Sequence, residues 1–99
     1  MARRKTKKAE IMNFKIKGSL SIYEVNHIQE KLMELLQEND KIELDLNSIN
    51  ECDASGLQIL YSARKTADEL EKEIIFSRVS KTLKDTAVRI GIDPEIIFN

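Results

Sequence analysis

Hydrophobic and polar residues alternate over positions 12–20, which is the period of a strand buried on one face. The apolar members of this run are Met12, Phe14, Ile16 and Leu20. Gly18 interrupts the run and predicts a bend or bulge. Residues 42–46 alternate in the same way. A strand covered by helices on both faces would be continuously apolar, so this alternation favours two layers, with helices mainly on one face of the sheet.

The segment between Ser21 and Asn39 has apolar residues at helical spacing. Its stripe consists of Val25, Ile28, Leu32, Leu35 and Leu36. Ser21 and Glu24 have the spacing of a capping box, in which each side chain binds the other's backbone N–H. We therefore expect a helix that begins at this pair and ends near Asn39. His27 lies off the stripe, and we expect it to be solvated rather than catalytic.

A helix-like segment and then another strand-like segment follow the strand at 42–46. Apolar residues at helical spacing over 57–70 separate the strand at 42–46 from a second apolar run at 74–79. This order predicts a βαβ unit with adjacent parallel strands and a right-handed crossover. The elements together predict an α/β fold in two layers, with a mixed sheet of about four strands.

The C-terminal part of the chain shows the signals that start and stop helices. Ser80 is a suitable N-cap for a third helix, and Gly91 supplies the left-handed residue that ends it. Ile92 then has the position of a Schellman-type contact. Asp93 begins a short last helix that we expect to run through Phe98.

Charge divides the chain into two parts. The formal net charge is −1, but five cations fall within the first eight residues, so the remainder is acidic. They are Arg3, Arg4, Lys5, Lys7 and Lys8. We expect residues 1–10 to form a mobile basic arm and residues 11–99 to form one domain. Alternatively, the arm contacts nucleic acid, anionic lipid or an acidic partner. Aromatic residues do not interleave with these charges, which disfavours binding of single-stranded nucleic acid.

Several classes of chemistry lack the residues they need. The apolar runs are too short for a membrane span and the basic start lacks the hydrophobic core of a secretory signal, so a cytoplasmic location is expected. Cys52 and His27 are the only cysteine and histidine, which provides neither a disulfide nor a zinc set. We expect no cofactor and no metal, and we interpret Cys52 as a small buried hydrophobic residue at a strand-to-helix junction rather than a reactive thiol.

The most informative motif is Asp-Ala-Ser-Gly-Leu at residues 53–57, between the strand at 42–46 and the second helix. Ser55 and Gln58 fit a capping box, and this gives the motif a purely structural interpretation. Alternatively, a phosphate on Ser55 would be tolerated, because a helix N-terminus offers unpaired N–H groups and a partial positive charge.

The order of strand, Asp-x-Ser-Gly-Leu motif and helix resembles that of STAS domains, the anti-sigma-factor-antagonist family. The resemblance extends over roughly residues 11–98 and includes Phe14–Gly18, Ile74–Phe76 and Ile90–Ile92. The chain departs from the family in two places. It reads Gly18-Ser19-Leu20-Ser21 where many members have Gly-Glu-Leu-Asp, and a basic arm replaces the usual first strand.

The resemblance implies a bacterial, non-enzymatic signal-transduction protein that acts by protein–protein interaction. In this family the serine before the glycine is the phospho-acceptor, which corresponds to Ser55. The implied partner-binding residues are Asp53, Ser55, Gly56 and Gln58. A phosphate would release the partner through like-charge repulsion and desolvation.

The implied partner is a kinase-like anti-sigma factor or a signalling or transporter subunit, with no nucleic acid and no membrane insertion. The alternative function is a constitutive adaptor, in which the same face is a permanent contact. Such an adaptor would be a subunit of a chemotaxis or stressosome-type signalling complex, or of a lipid-transport ABC assembly.

Overall fold

The computed structural model describes residues 11–98. Within this range the helices and strands are β1 (Met12–Lys15), β2 (Gly18–Leu20), α1 (Val25–Glu38), β3 (Lys41–Asp45), β4 (Ile49–Cys52), α2 (Ala54–Glu69), β5 (Glu73–Ser77), α3 (Lys81–Arg89) and α4 (Pro94–Phe98). The arm predicted for residues 1–10 lies outside the described residues.

The strands form two parallel groups. β1, β3 and β5 make a three-stranded sheet in the order β1-β3-β5, and β2 pairs with β4. Each paired strand is separated from its partner by a helical crossover, so all these pairings are parallel. The prediction of an α/β fold in two layers is confirmed, and within residues 11–98 there are five strands whose pairings are parallel. Gly18, with φ of 81°, turns the chain between β1 and β2, and β2 then pairs with β4.

The three-stranded sheet is buried on one face, as its alternation predicted. Ile42 and Leu44 are completely buried, whereas Glu43 and Asp45 between and beside them are partly exposed. Helix side chains cover the buried face and complete a two-layer structure. The largest fully buried apolar side chains are Leu20, Leu32, Leu36, Ile42, Leu44, Leu46, Ile49, Leu57, Leu60 and Leu83.

The turn before α1 differs from the sequence expectation. The backbone N–H and the hydroxyl of Ser21 both donate to the Glu24 carboxylate, at 3.0 and 2.5 Å. Only the Glu24 half of the predicted capping box therefore forms, because the Glu24 N–H donates to the Ser21 backbone carbonyl and not to the hydroxyl. The pair closes a turn, and α1 begins only at Val25. The hydroxyl and N–H of Ser21 lower the pKa of Glu24. This turn leaves Ile22 and Tyr23 pointing away from the core, with 59% and 90% of their surfaces exposed.

The C-terminus of α3 confirms the predicted Schellman motif. Gly91 has a φ of 88° and donates to the carbonyl of Val88 at 3.0 Å, while Ile92 donates to the carbonyl of Ala87 at 2.8 Å. Ile90, the residue that follows the last turn of α3, is 41% exposed.

Candidate functional site at the start of α2

Asp53, and not Ser55, caps helix α2. The Asp53 Oδ1 atom accepts a hydrogen bond from the Gly56 N–H at 3.1 Å, and its backbone carbonyl accepts from Gly56 and Leu57 at 3.0 and 3.3 Å. Ser55 is therefore the second residue of the helix. The capping-box interpretation of Ser55 with Gln58 is wrong, because a carboxylate two residues earlier already occupies the capping position.

Gly56 allows α2 to approach β2 closely. A Cβ atom at this position would lie 2.1 Å from the carbonyl oxygen of Leu20 and 3.0 Å from the Sγ atom of Cys52. Contacts this short do not occur, so only glycine fits. Gly56 is buried within the chain, so its role in the structure is to set the position of the helix start.

The second oxygen of the Asp53 carboxylate connects two distant segments. Its Oδ2 atom accepts a hydrogen bond from the Ile22 N–H at 3.1 Å, across 31 residues of sequence. The same carboxylate thus caps α2 and holds the turn before α1. Sequence reasoning assigned Asp53 to the site but missed Ile22, because no local pattern indicates a contact across this separation.

Two sets of exposed apolar side chains adjoin the start of α2. One set is Ile22 and Tyr23, in the turn that Asp53 holds. The other lines a cavity of about 410 Å³, which we call the isoleucine groove. It is lined by Ala54, Leu57, Gln58, Tyr61, Ser62, Ile90, Ile92, Ile96 and Ile97. Contiguous exposed apolar surface of this kind is typical of an interaction site.

The four residues assigned to the site from sequence lie together in the first turns of α2, but they have different surroundings. Asp53 is directed to the turn before α1, whereas Gln58 is exposed and lines the isoleucine groove. Ser55 is half-buried between these two positions in the chain, and Gly56 is buried beneath. The predicted cluster is thus one helix end that adjoins two apolar surfaces.

Two of the segments that meet at this helix end carry charge of one sign. Residues 18–30 and 42–63 contain no lysine and no arginine. Their acidic residues are Glu24, Glu30, Glu43, Asp45, Glu51 and Asp53. A negative group added here would therefore meet further negative charge from these two segments.

Cys52 is half-buried directly before the cap. Burial, together with the neighbouring Asp53 charge, raises the pKa of its thiol to about 11. The thiol is therefore protonated at neutral pH and a weak nucleophile. His27 is exposed on α1, as expected. Among residues 11–98, histidine, cysteine and acidic side chains form no group of three that could hold a metal ion.

No helix in the described part of the chain is both long and apolar enough to cross a membrane. Comparison with known proteins identifies a family model described as "Mlab, STAS domain" that matches residues 4–97. The match includes the whole start of α2 and all five strands. No curated protein matches the chain significantly.

Proposed function

The chain belongs to the STAS domain family, and we propose on this basis that it binds a protein partner through the start of α2 and releases it when Ser55 is phosphorylated. STAS domains are in general regulatory modules of the anti-sigma-factor-antagonist kind and are generally not enzymes. The observation that carries the proposal is the position of Ser55 at a helix end that adjoins two exposed apolar surfaces.

The cap geometry favours modification of Ser55 without unfolding. Asp53 supplies the capping oxygen, so a change at the Ser55 hydroxyl leaves the cap in place. A phosphate at the second position of a helix also lies near unpaired N–H groups and the positive end of the helix dipole. We therefore expect the phosphorylated chain to keep its fold.

The proposed modification requires a partner kinase that binds a nucleoside triphosphate. The Ser55 Oγ atom attacks the γ-phosphorus, so an O–P bond forms while the bond to the β,γ-bridging oxygen breaks. The hydroxyl proton passes to a base of the kinase, and a nucleoside diphosphate leaves. The chain itself supplies only the acceptor hydroxyl.

The phosphate weakens the contact through charge and desolvation. It adds about 1.5 to 2 negative charges close to Asp53, in segments that contain no lysine or arginine. In a complex these charges would lie at the helix end that adjoins the isoleucine groove and the pair Ile22 and Tyr23, where the partner would exclude water. The unmodified chain is therefore the form that binds.

The test begins with the chain purified from its native cell, followed by mass spectrometry of bound proteins and of Ser55. The affinity of the purified partner is then measured for Ser55→Asp, Ser55→Ala and Thr82→Asp. Thr82 is the second residue of α3 and also half-buried, so it controls for added charge at a helix start. We expect Ser55→Asp alone to weaken binding, by about tenfold or more. Unchanged affinity for Ser55→Asp, with no phosphate at Ser55 in any growth condition, would contradict the switch.

The isoleucine groove also favours a second candidate, a constitutive adaptor in a signalling complex or a lipid-transport ABC assembly. Four large apolar side chains of the groove, Tyr61, Ile90, Ile92 and Ile96, are between 37% and 72% exposed. Permanent interfaces are more apolar than transient ones, and such a surface suits them. An adaptor would keep its partner in every growth condition and would carry no phosphate on Ser55.

A further inference from the structure

We infer that Ile22 and Tyr23 form an apolar knob that inserts into an apolar socket, rimmed by basic groups, on the same protein partner. The inference rests on the proposed function, because it takes the start of α2 as the partner-binding surface. It adds a second contact, in the turn that Asp53 holds, and the chemistry of the partner.

The knob combines exposure with a fixed backbone. Tyr23 is 90% exposed, more than any other large hydrophobic residue in the described part of the chain. The Asp53 carboxylate holds the Ile22 N–H, and the Ser21 carbonyl accepts from Glu24 and Val25 at 2.9 and 3.0 Å. A side chain presented on an ordered turn loses little entropy when it binds. Tyrosine in this situation is typical of the residues that dominate interface energy.

The surrounding charge determines which partner fits. The knob lies in the segment 18–30 and is held by the segment 42–63, which both lack lysine and arginine. Glu51 is exposed and pairs in register with Ser19, on the strand that leads into the knob. These charges repel the phosphates of nucleic acid or anionic lipid and attract lysine and arginine. The structure therefore favours a protein socket with a basic rim.

The knob can be removed without disturbing the core. Ile22 and Tyr23 lie outside the buried cluster, and the hydrogen bonds of the turn use backbone atoms that any residue retains. Tyr23→Ala and Ile22→Ser should therefore fold normally, which circular dichroism and a thermal melt would verify. Leu70→Ala is the matched control, because Leu70 is 50% exposed just beyond the opposite end of α2.

The experiment measures the affinity of these variants for the partner that co-purifies with the wild-type chain and has been identified and purified. We expect Tyr23→Ala to raise Kd about tenfold or more and Leu70→Ala to leave it nearly unchanged. Added NaCl should weaken wild-type binding, because it screens the basic rim. If Tyr23→Ala binds with wild-type affinity, or if Tyr23→Ala and Leu70→Ala lose equal affinity, the proposed knob is wrong. Affinity that does not change with salt would overturn the basic rim.

The outcomes separate this inference from the phosphorylation switch. If Tyr23→Ala weakens binding while Ser55→Asp does not, the knob stands and the switch is wrong. If Ser55→Asp weakens binding while Tyr23→Ala does not, the switch stands and the knob is wrong. A wild-type chain that binds no protein in its native cell overturns both.

Discussion

Helices α2 and α3 begin in the same way but present different surfaces. Each follows a strand, and each has an N-cap side chain that accepts from the N–H of the third helical residue. Gly56 donates to Asp53 at 3.1 Å, and Leu83 donates to Ser80 at 3.3 Å. Local backbone chemistry therefore does not distinguish a candidate site from an ordinary helix start.

The surroundings of the two caps make the difference. Ser80 is buried, and the exposed side of α3 behind it carries the ion pair between Lys81 and Asp85, at 2.9 Å. Asp53 instead uses its second oxygen to hold Ile22, and exposed apolar side chains adjoin the start of its helix. A helix N-terminus thus becomes a candidate site only through the tertiary contacts around it.

The largest expected effect comes from the third residue of α2. Gly56→Ala would place a Cβ atom against the carbonyl oxygen of Leu20, and a backbone atom cannot move aside. We expect a loss of about 3 kcal/mol or more in the free energy of unfolding, or no folded protein. Gly91→Ala is the control, because a Cβ atom added at Gly91 would have no atom within 4 Å. Only the positive φ of Gly91 opposes this substitution, and it should lower the free energy of unfolding by about 1–2 kcal/mol. Equal losses in the free energy of unfolding for the two variants, measured by urea melts, would refute close packing at α2.

Removing the two caps should have smaller and unequal effects. Asp53→Ala removes both the cap and the hydrogen bond to Ile22, and we expect it to lower the free energy of unfolding by about 1–3 kcal/mol. Ser80→Ala removes only a cap, and we expect a loss of about 0.5–2 kcal/mol. Asp53→Asn should recover much of the loss, since asparagine caps as well as aspartate. Its amide nitrogen cannot accept a bond, so the Ile22 amide should exchange faster in NMR hydrogen exchange. An unchanged Ile22 exchange rate in Asp53→Ala would contradict this coupling.

Sequence patterns predicted the parts of this fold that depend on local periodicity. The alternation over 42–46 predicted a sheet buried on one face, and Gly91 predicted the end of α3. The cap of α2 was missed because Asp53 and Ser55 are both good capping residues. The close contact of Gly56 with Leu20 requires one particular position of the helix start. It is a tertiary contact, so local sequence patterns do not indicate it.

Long-range contacts were also beyond the reach of local patterns. The bend at Gly18 was expected, but not that β2 would pair with β4 instead of joining the three-stranded sheet. The bond from Ile22 to Asp53 spans 31 residues, and the isoleucine groove requires α2, α3 and α4 to meet. The motif therefore indicated where the candidate site lies, and the topology determined what surrounds it.

Ser55→Ala tests the corrected role of Ser55 and should change stability by no more than about 0.5 kcal/mol. A capping serine would cost about 0.5–2 kcal/mol, but Asp53 holds that position. Thermal and urea melts beside Ser80→Ala, a true cap, provide the comparison. A loss at Ser55 as large as that at Ser80 would mean that the serine hydroxyl supports the helix start after all.

The smallest effect concerns the turn that Asp53 holds and depends on pH. The hydroxyl and N–H of Ser21 lower the pKa of Glu24 below the ordinary value of 4.5. Because the folded-state pKa lies below the unfolded one, this carboxylate stabilises the fold above about pH 4.5, and the contribution disappears as pH falls through the lowered pKa. The stability difference between wild type and Glu24→Gln should therefore shrink on acidification.

An NMR titration of the Glu24 carboxyl provides the direct measurement. Ser21→Ala should move the titration midpoint upward, since it removes the hydroxyl donor at 2.5 Å, and an unmoved midpoint would mean that this bond does not order the turn.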